Sequence, residues 1–331
     1  MNQSFHRLAV IAAVLAFLVI VLGAYVRLSH AGLGCPDWPG CYGQLTWPDA
    51  TSEIQSANEA FPERPVEIDK AWKEMVHRYL AGALVLMVFA LNWLAWRNPG
   101  AKAFRFKSGL LLALILFQAA LGMWTVTLKL LPVIVMAHLL GGMATLALLV
   151  WIIYTSRYAS SYQPGPQLKS VRGIIVTSLV VLTLQIALGG WTSSNYAALS
   201  CPDFPTCQGE MWPETNFREG FILWREIGVD FEGGVLDLPS RTAIHMAHRV
   251  GAIITFLVLV FAAFKLTRIS TLQRSGLLVL GLTITQVLLG IFNIVMHLPL
   301  ANAVAHNGVA ALLLAVLIGL AYRTSPGRFA S

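Results

Sequence analysis

Four histidines carry most of the chemical interest of this chain: His77, His138, His248 and His306. They recur in matched surroundings. His77 and His248 stand in "VHRYLAGALV" and "AHRVGAIITF", and His138 and His306 in "VMAHLLGGMATLALL" and "AVAHNGVAALLLAVL". A neutral imidazole is a good axial ligand for heme iron, and one from each of two facing helices builds a bis-histidine site in a bundle core. A lone histidine near a helix end is more often an interfacial hydrogen-bonding group. Four at matched positions inside apolar runs point to function. Zinc fits less well, because it asks for about four nitrogen or sulfur ligands in one cluster. Arg78 and Arg249 each follow a candidate ligand, and suit either a heme propionate or an anchor at the membrane interface.

The two copies differ at one place. Glu74 precedes His77 by three residues in "KEMVHR", and His245 takes that position in "IHMAHR". Residues three apart share a helix face, so Glu74 is expected to look into the His77 pocket. An acid in a helix first turn is also favoured by the dipole alone. A carboxylate beside one site only suggests a fixed cofactor in one half and a reacting molecule in the other. His6, His30 and His297 lack a matched counterpart and read as peripheral.

The cysteines form a second matched set, in "GLGCPDWPGCYG" and "ALSCPDFPTCQG". Each pair has five residues between its members and follows an apolar run, so the expected disulfides are Cys35–Cys41 and Cys201–Cys207 on the outer side, where disulfides persist. Closing so short a ring adds about 2–3 kcal/mol at most. Its expected part is to fix a lid over each pocket mouth, with redox exchange as the second reading. Two cysteines per loop are too few for a metal site.

These residues must be positioned by membrane helices. The chain has 331 residues, 56% hydrophobic and 12% charged, against roughly 25% charged in soluble domains. Runs long enough to cross a hydrocarbon core fall at about 8–27, 75–96, 108–128, 132–155, 172–192, 243–265, 275–296 and 301–322. They do not alternate in polarity as barrel strands do, so they are helices whose backbone satisfies itself in lipid. All 16 acidic residues lie between Asp37 and Glu74 or between Asp203 and Asp237. The short connections carry only bases, such as Arg97, Lys102, Arg157, Lys169, Lys265 and Arg268. The positive-inside rule then puts both termini in the cytoplasm and both acidic loops outside. The net charge of +7 marks orientation rather than a nucleic-acid partner. No cleavage site follows the first apolar run, which reads as retained, and a bacterial inner membrane fits best.

"FQAALGMW" and "TQVLLGIF", with Gln118 and Gln286, complete the repeat. Four spans per copy is an even number, so both copies enter the membrane in one orientation. The expected fold is an all-α polytopic protein of eight transmembrane helices, arranged as two tandem four-helix bundles related by a pseudo-twofold axis. The halves are 1–160 and 161–331. Glycines such as Gly82, Gly122, Gly141, Gly142 and Gly290 allow close helix approach.

"EMVHR", "MAHLLGG", "MAHRVGA" and "VAHNGVA", in that order, with the cysteine pair of the first loop, resemble the heme A synthase family over nearly the whole chain. The resemblance implies heme O as substrate at His77 and His138, and heme b as cofactor with His248 and His306 as iron ligands. It makes Glu74 the catalytic residue. The implied reaction oxidises a porphyrin ring methyl to a formyl group, giving heme A for cytochrome oxidase. Glu74 would stabilise developing positive charge or accept the proton. Heme O synthase (protoheme farnesyltransferase) and cytochrome oxidase assembly factors are the partners it suggests, and a homo-oligomer is compatible with it. Some members carry cysteines only in the first loop, whereas this chain has both pairs. Two other classes compete: a di-heme b-type electron-transfer cytochrome, which leaves Glu74 unexplained, and a transporter, whose site would sit nearer the midplane.

Overall fold

The computed structural model describes residues 3–98, 102, 104–157 and 165–325. Among them are eleven α-helices and no β-strand: α1 (Gln3–Leu28), α2 (Thr51–Ala60), α3 (Ile68–Arg97), α4 (Arg105–Thr127), α5 (Pro132–Arg157), α6 (Pro166–Ser170), α7 (Arg172–Ser194), α8 (Phe217–Gly220), α9 (Leu238–Thr267), α10 (Gln273–Val295) and α11 (Leu300–Thr324). Eight segments are long and apolar enough to cross a membrane, with mean hydropathy from 1.8 to 2.9. They are the eight spans expected from sequence, built on α1, α3, α4, α5, α7, α9, α10 and α11. The expected division at residues 160 and 161 lies outside the described residues.

Three helices begin at least five residues earlier than hydropathy indicates, α1 at Gln3 among them. α3 starts at Ile68 and α9 at Leu238. The added turns of α3 carry Asp69, Lys70, Lys73 and Glu74, so the hydropathy signal stops where the charge begins while the helix continues. α9 is started by Asp237, whose carboxylate accepts the Ser240 N–H at 2.9 Å, with Pro239 in a first turn that needs no amide hydrogen.

Within the first half α1 packs on α3, α3 on α4, α4 on α5, and α5 back on α1; α7, α9, α10 and α11 pair in the same order. The halves meet through α1 on α11, α5 on α7 and α5 on α11. Half of the apolar window of α11 is buried, against 17–28% for the other spans, which makes α11 the most enclosed. The shared core includes Ala9, Ala12 and Ala16 of α1, Leu149 and Ile152 of α5, and Ala311, Leu314 and Leu317 of α11. Lipid offers no hydrophobic drive between helices, so close packing through small side chains holds the seam.

One end of the bundle carries both long loops, residues 29–67 and 195–237. Four helices finish there with one capping scheme. His30, Lys129, Tyr196 and His297 have φ between 47° and 55°. The next amide bonds five residues back: Ala31 to Val26 at 2.9 Å, Leu130 to Thr125 at 2.8 Å, Ala197 to Thr192 at 2.9 Å and Leu298 to Asn293 at 2.7 Å. These bonds satisfy helix-end carbonyls and offset roughly 1–2 kcal/mol for a side chain in the left-handed region. His30 and His297, unmatched in sequence, are thus helix caps with counterparts in backbone shape.

The loops are tied together. Arg64 of the first loop donates to Asp230 at 2.6 Å and to Glu232 at 2.8 Å. Between those carboxylates Phe231 is 2% exposed and packs with Leu33, Leu121, Val126, Leu130, Leu131 and Ile134. Its N–H donates to the Lys129 carbonyl at 3.1 Å. A loop belonging to the second half therefore completes the cap of the first.

Candidate functional site

Because α3, α5, α9 and α11 all begin at the loop end, their histidines lie at similar shallow depths. Each imidazole is half-buried and faces a glycine on the preceding spanning helix. A Cβ at Gly23 would come 3.0 Å from His77 Cε1, one at Gly122 3.3 Å from His138, one at Gly189 3.2 Å from His248, and one at Gly290 3.2 Å from His306. All four contacts are tighter than ordinary packing. The missing side chain at each glycine is therefore what gives the ring its room. Within each half the two rings stand on helices that share both neighbours: α3 and α5 each pack on α1 and α4, and α9 and α11 each pack on α7 and α10.

The rings are held differently in the two halves. Gln185 meets His248 Nδ1 and its backbone carbonyl, each at 3.0 Å. Gln286 meets His306 Nε2 at 3.2 Å. In the first half Gln118 reaches only the His138 carbonyl, at 2.8 Å, and among the described residues no side chain bonds either ring; the Nδ1 atoms of His77 and His138, like that of His306, are enclosed without a partner. Every ring keeps at least one nitrogen free of protein hydrogen bonds. Among the described residues no three or more His, Cys, Asp or Glu side chains form a metal cluster. Two imidazoles with free nitrogens fit a metal that brings its own equatorial donors, which is the situation of heme iron. An apolar groove between α1 and α11, lined by Val21, Tyr25, Leu300 and Val304 among others, touches none of the four.

Over each site lies a lid closed by a disulfide, Cys35–Cys41 or Cys201–Cys207, with Cα atoms 4.8 and 4.5 Å apart. Each lid is organised by its aspartate. Asp37 accepts the N–H groups of Tyr42 at 2.6 Å and Gly43 at 2.7 Å. Asp203 accepts those of Gln208 at 2.6 Å and Gly209 at 3.0 Å, together with the Thr206 hydroxyl. The Thr206 hydroxyl, and after it the Gly209 and Gln208 amides, hold the Asp203 carboxyl below the ordinary carboxylate range.

The arginines clamp the lids. Arg78 donates to the carbonyls of Asp37 at 3.0 Å, Pro39 at 3.3 Å and Gly40 at 2.5 Å. Arg249 donates to those of Asp203 at 2.7 Å, Pro205 at 3.2 Å and Thr206 at 2.8 Å. Glu74, 5% exposed, pairs with Arg78 at 2.5 Å and accepts the Cys35 N–H at 3.0 Å. The helix face shared with His77 thus also meets the lid, and the carboxylate is anchored at the lid base. His245, 4% exposed, holds the Ala197 carbonyl at 3.0 Å. Each half therefore fastens the foot of its lid through the residue three before its first histidine.

A family model described as "Cytochrome oxidase assembly protein", COX15-CtaA, matches residues 6–318. The chain belongs to that family. A heme A synthase from Shewanella oneidensis is 47% identical over 313 residues, covering 94% of each chain. One from Caulobacter sp. strain K31 is 29% identical, covering 95% of this chain and 94% of its own. One from Brucella ovis is 25% identical over 98% of this chain.

For a COX15-CtaA member this structure adds residues that pattern reading passes over. Gly23 and Gly189 share the 166-residue offset of the cysteines, a signal that was open to inspection. Gln185 has Val19 as its counterpart at that offset, so no repeat marks it.

Proposed function

We propose that this chain is a heme A synthase, an oxidoreductase that converts a ring methyl of heme O to a formyl group. In this reading two pseudo-twofold-related bundles divide the work: the first half takes heme O between His77 and His138, and the second holds heme b through His248 and His306. The observation that carries it is the unequal support of four otherwise matched rings. Both second-half rings are fixed by glutamine amides, as befits a resident group that is held in one orientation. The first-half rings have no side-chain partners, as befits a molecule that arrives and leaves. The electron-transfer cytochrome gains nothing from this inequality, and the relatives carry an enzyme's name.

Bound heme b would supply a one-electron acceptor that passes electrons onward. The chain's own groups do the rest. His77 and His138 orient the substrate. Glu74, fixed between Arg78 and the Cys35 amide, holds negative charge at the mouth of the first site, where oxidation of a ring methyl releases protons and builds positive charge. The lids exclude water from the loop end. The basic short connections support cytoplasmic termini in a bacterial inner membrane.

Extraction of the non-covalent hemes from protein purified out of cells that make heme O tests this. Heme b together with heme O, its hydroxylated form or heme A is expected. Heme b alone at two per chain would sink the reading.

A further inference from the structure

We propose that Arg27 is a carboxylate-binding residue at the seam between the halves, and that it receives a propionate of the porphyrin held in the first half. This rests on the reading above that heme O binds there.

Arg27 lies in the last turn of α1, four residues after Gly23. It is therefore on the helix face that meets His77, about 6 Å nearer the loop end. Its guanidinium sits 4.2 Å from the Tyr196 ring centroid, and Nη2 donates to the Ser193 carbonyl at 2.6 Å. Its Nε is enclosed and meets no hydrogen-bond partner of good geometry, and neither does the enclosed Tyr196 hydroxyl, although the two side chains lie close enough to attract one another. No carboxylate bonds Arg27. Glu232 acts on it only from a distance and is already bonded to Arg64 at 2.8 Å.

A part-buried cation with an unmet donor, beside an unmet hydroxyl, is costly unless a counter-ion completes it. One ligand carboxylate would take the Nε–H and the Tyr196 O–H together. Arg78, beside His77 in sequence, is taken by three lid carbonyls and Glu74. The second half has no equivalent cation, because the counterpart of Arg27 at the 166-residue offset is Ser193 itself. Like Glu74, Arg27 belongs to one copy of the repeat only.

The test uses the full chain in detergent with heme b bound, titrated with heme O and with heme O whose propionates are methyl esters, followed by the Soret shift. Wild type should prefer the free acid. Arg27→Gln should weaken the acid about tenfold to hundredfold, the range for a charged hydrogen bond, leave the ester unchanged and keep heme b at one per chain. Tyr196→Phe keeps the ring and should weaken the acid alone by a smaller factor. Equal losses for acid and ester, unchanged acid binding, or loss of heme b from Arg27→Gln would each overturn the assignment. Failure of wild type to bind either form would overturn the reading of the first half and this assignment with it.

Discussion

Gly23 and Gly189 offer the sharpest perturbation of the sites. A methyl group at Gly23 would stand 3.0 Å from His77 Cε1, and one at Gly189 3.2 Å from His248 Cε1. Ordinary contact begins near 3.4 Å, so a ring or helix must give by a few tenths of an ångström. Overpacking of that kind costs about 1–3 kcal/mol, less up to about 1 kcal/mol gained from replacing a helical glycine by alanine. The His77 ring has no hydrogen bond to hold it and can swing, so Gly23→Ala should fall at the low end. The His248 ring is clamped by Gln185, so Gly189→Ala should fall at the high end. In binding terms the span is up to about 30-fold in heme affinity. The control is Gly82→Ala on α3, where a Cβ meets nothing within 4 Å. Heme content per chain and reduced-minus-oxidised spectra are the assay. Gly189→Ala should lose most of its heme b, Gly23→Ala should bind heme O more weakly by a smaller factor while retaining heme b, and Gly82→Ala should match wild type. Wild-type occupancy and spectra for both site variants would refute the idea that these glycines make room for the histidine rings.

Three further outcomes follow from the lids and their anchors. Glu74→Gln can still accept the Cys35 N–H but cannot pair with the Arg78 charge, so both hemes should remain bound while turnover stalls; normal heme A output by mass spectrometry would remove Glu74 from the chemistry. Phe231→Ala should lower thermal stability by the equivalent of about 3–5 kcal/mol, as for a deleted core phenylalanine, whereas Arg64→Ala should cost at most about 1 kcal/mol and less at high salt; a larger effect from the arginine would invert the account of what seats the loop. The lowered Asp203 carboxyl contributes stability that is present above its unfolded value and lost as pH falls through its folded one. Reduction of Cys201–Cys207 by a phosphine should therefore accelerate under strongly acidic conditions in wild type more than in Asp203→Asn, and identical acid responses would show that Asp203 does not hold the lid.

The spans were legible because an apolar run of this length has few other meanings, and the matched histidines and cysteines because a repeat prints the same residues twice. The early starts of α3 and α9 were hidden by the charge in their first turns. Gln185 was hidden because its counterpart is Val19, and the lid-clamping use of Arg78 and Arg249 because their partners are backbone carbonyls, which a sequence does not distinguish. Phe231 sits in a polar loop without periodicity, and its partners belong to the other half. The helix-capping histidines were legible as residues but not as caps, since left-handed backbone at a non-glycine position leaves only a weak trace in composition.

The seating of Phe231 also orders events at the ribosome. Leu121 through Ile134, the wall against which this ring packs, are synthesised nearly a hundred residues before it. At about 5–20 residues per second, the first bundle waits on the order of 5–20 seconds for the piece that closes it. During that interval all four spanning helices of the first half have been synthesised, but the residue that completes their cap has not. Nascent protein arrested just before residue 230 should therefore present the first half in an open form that the finished enzyme does not retain.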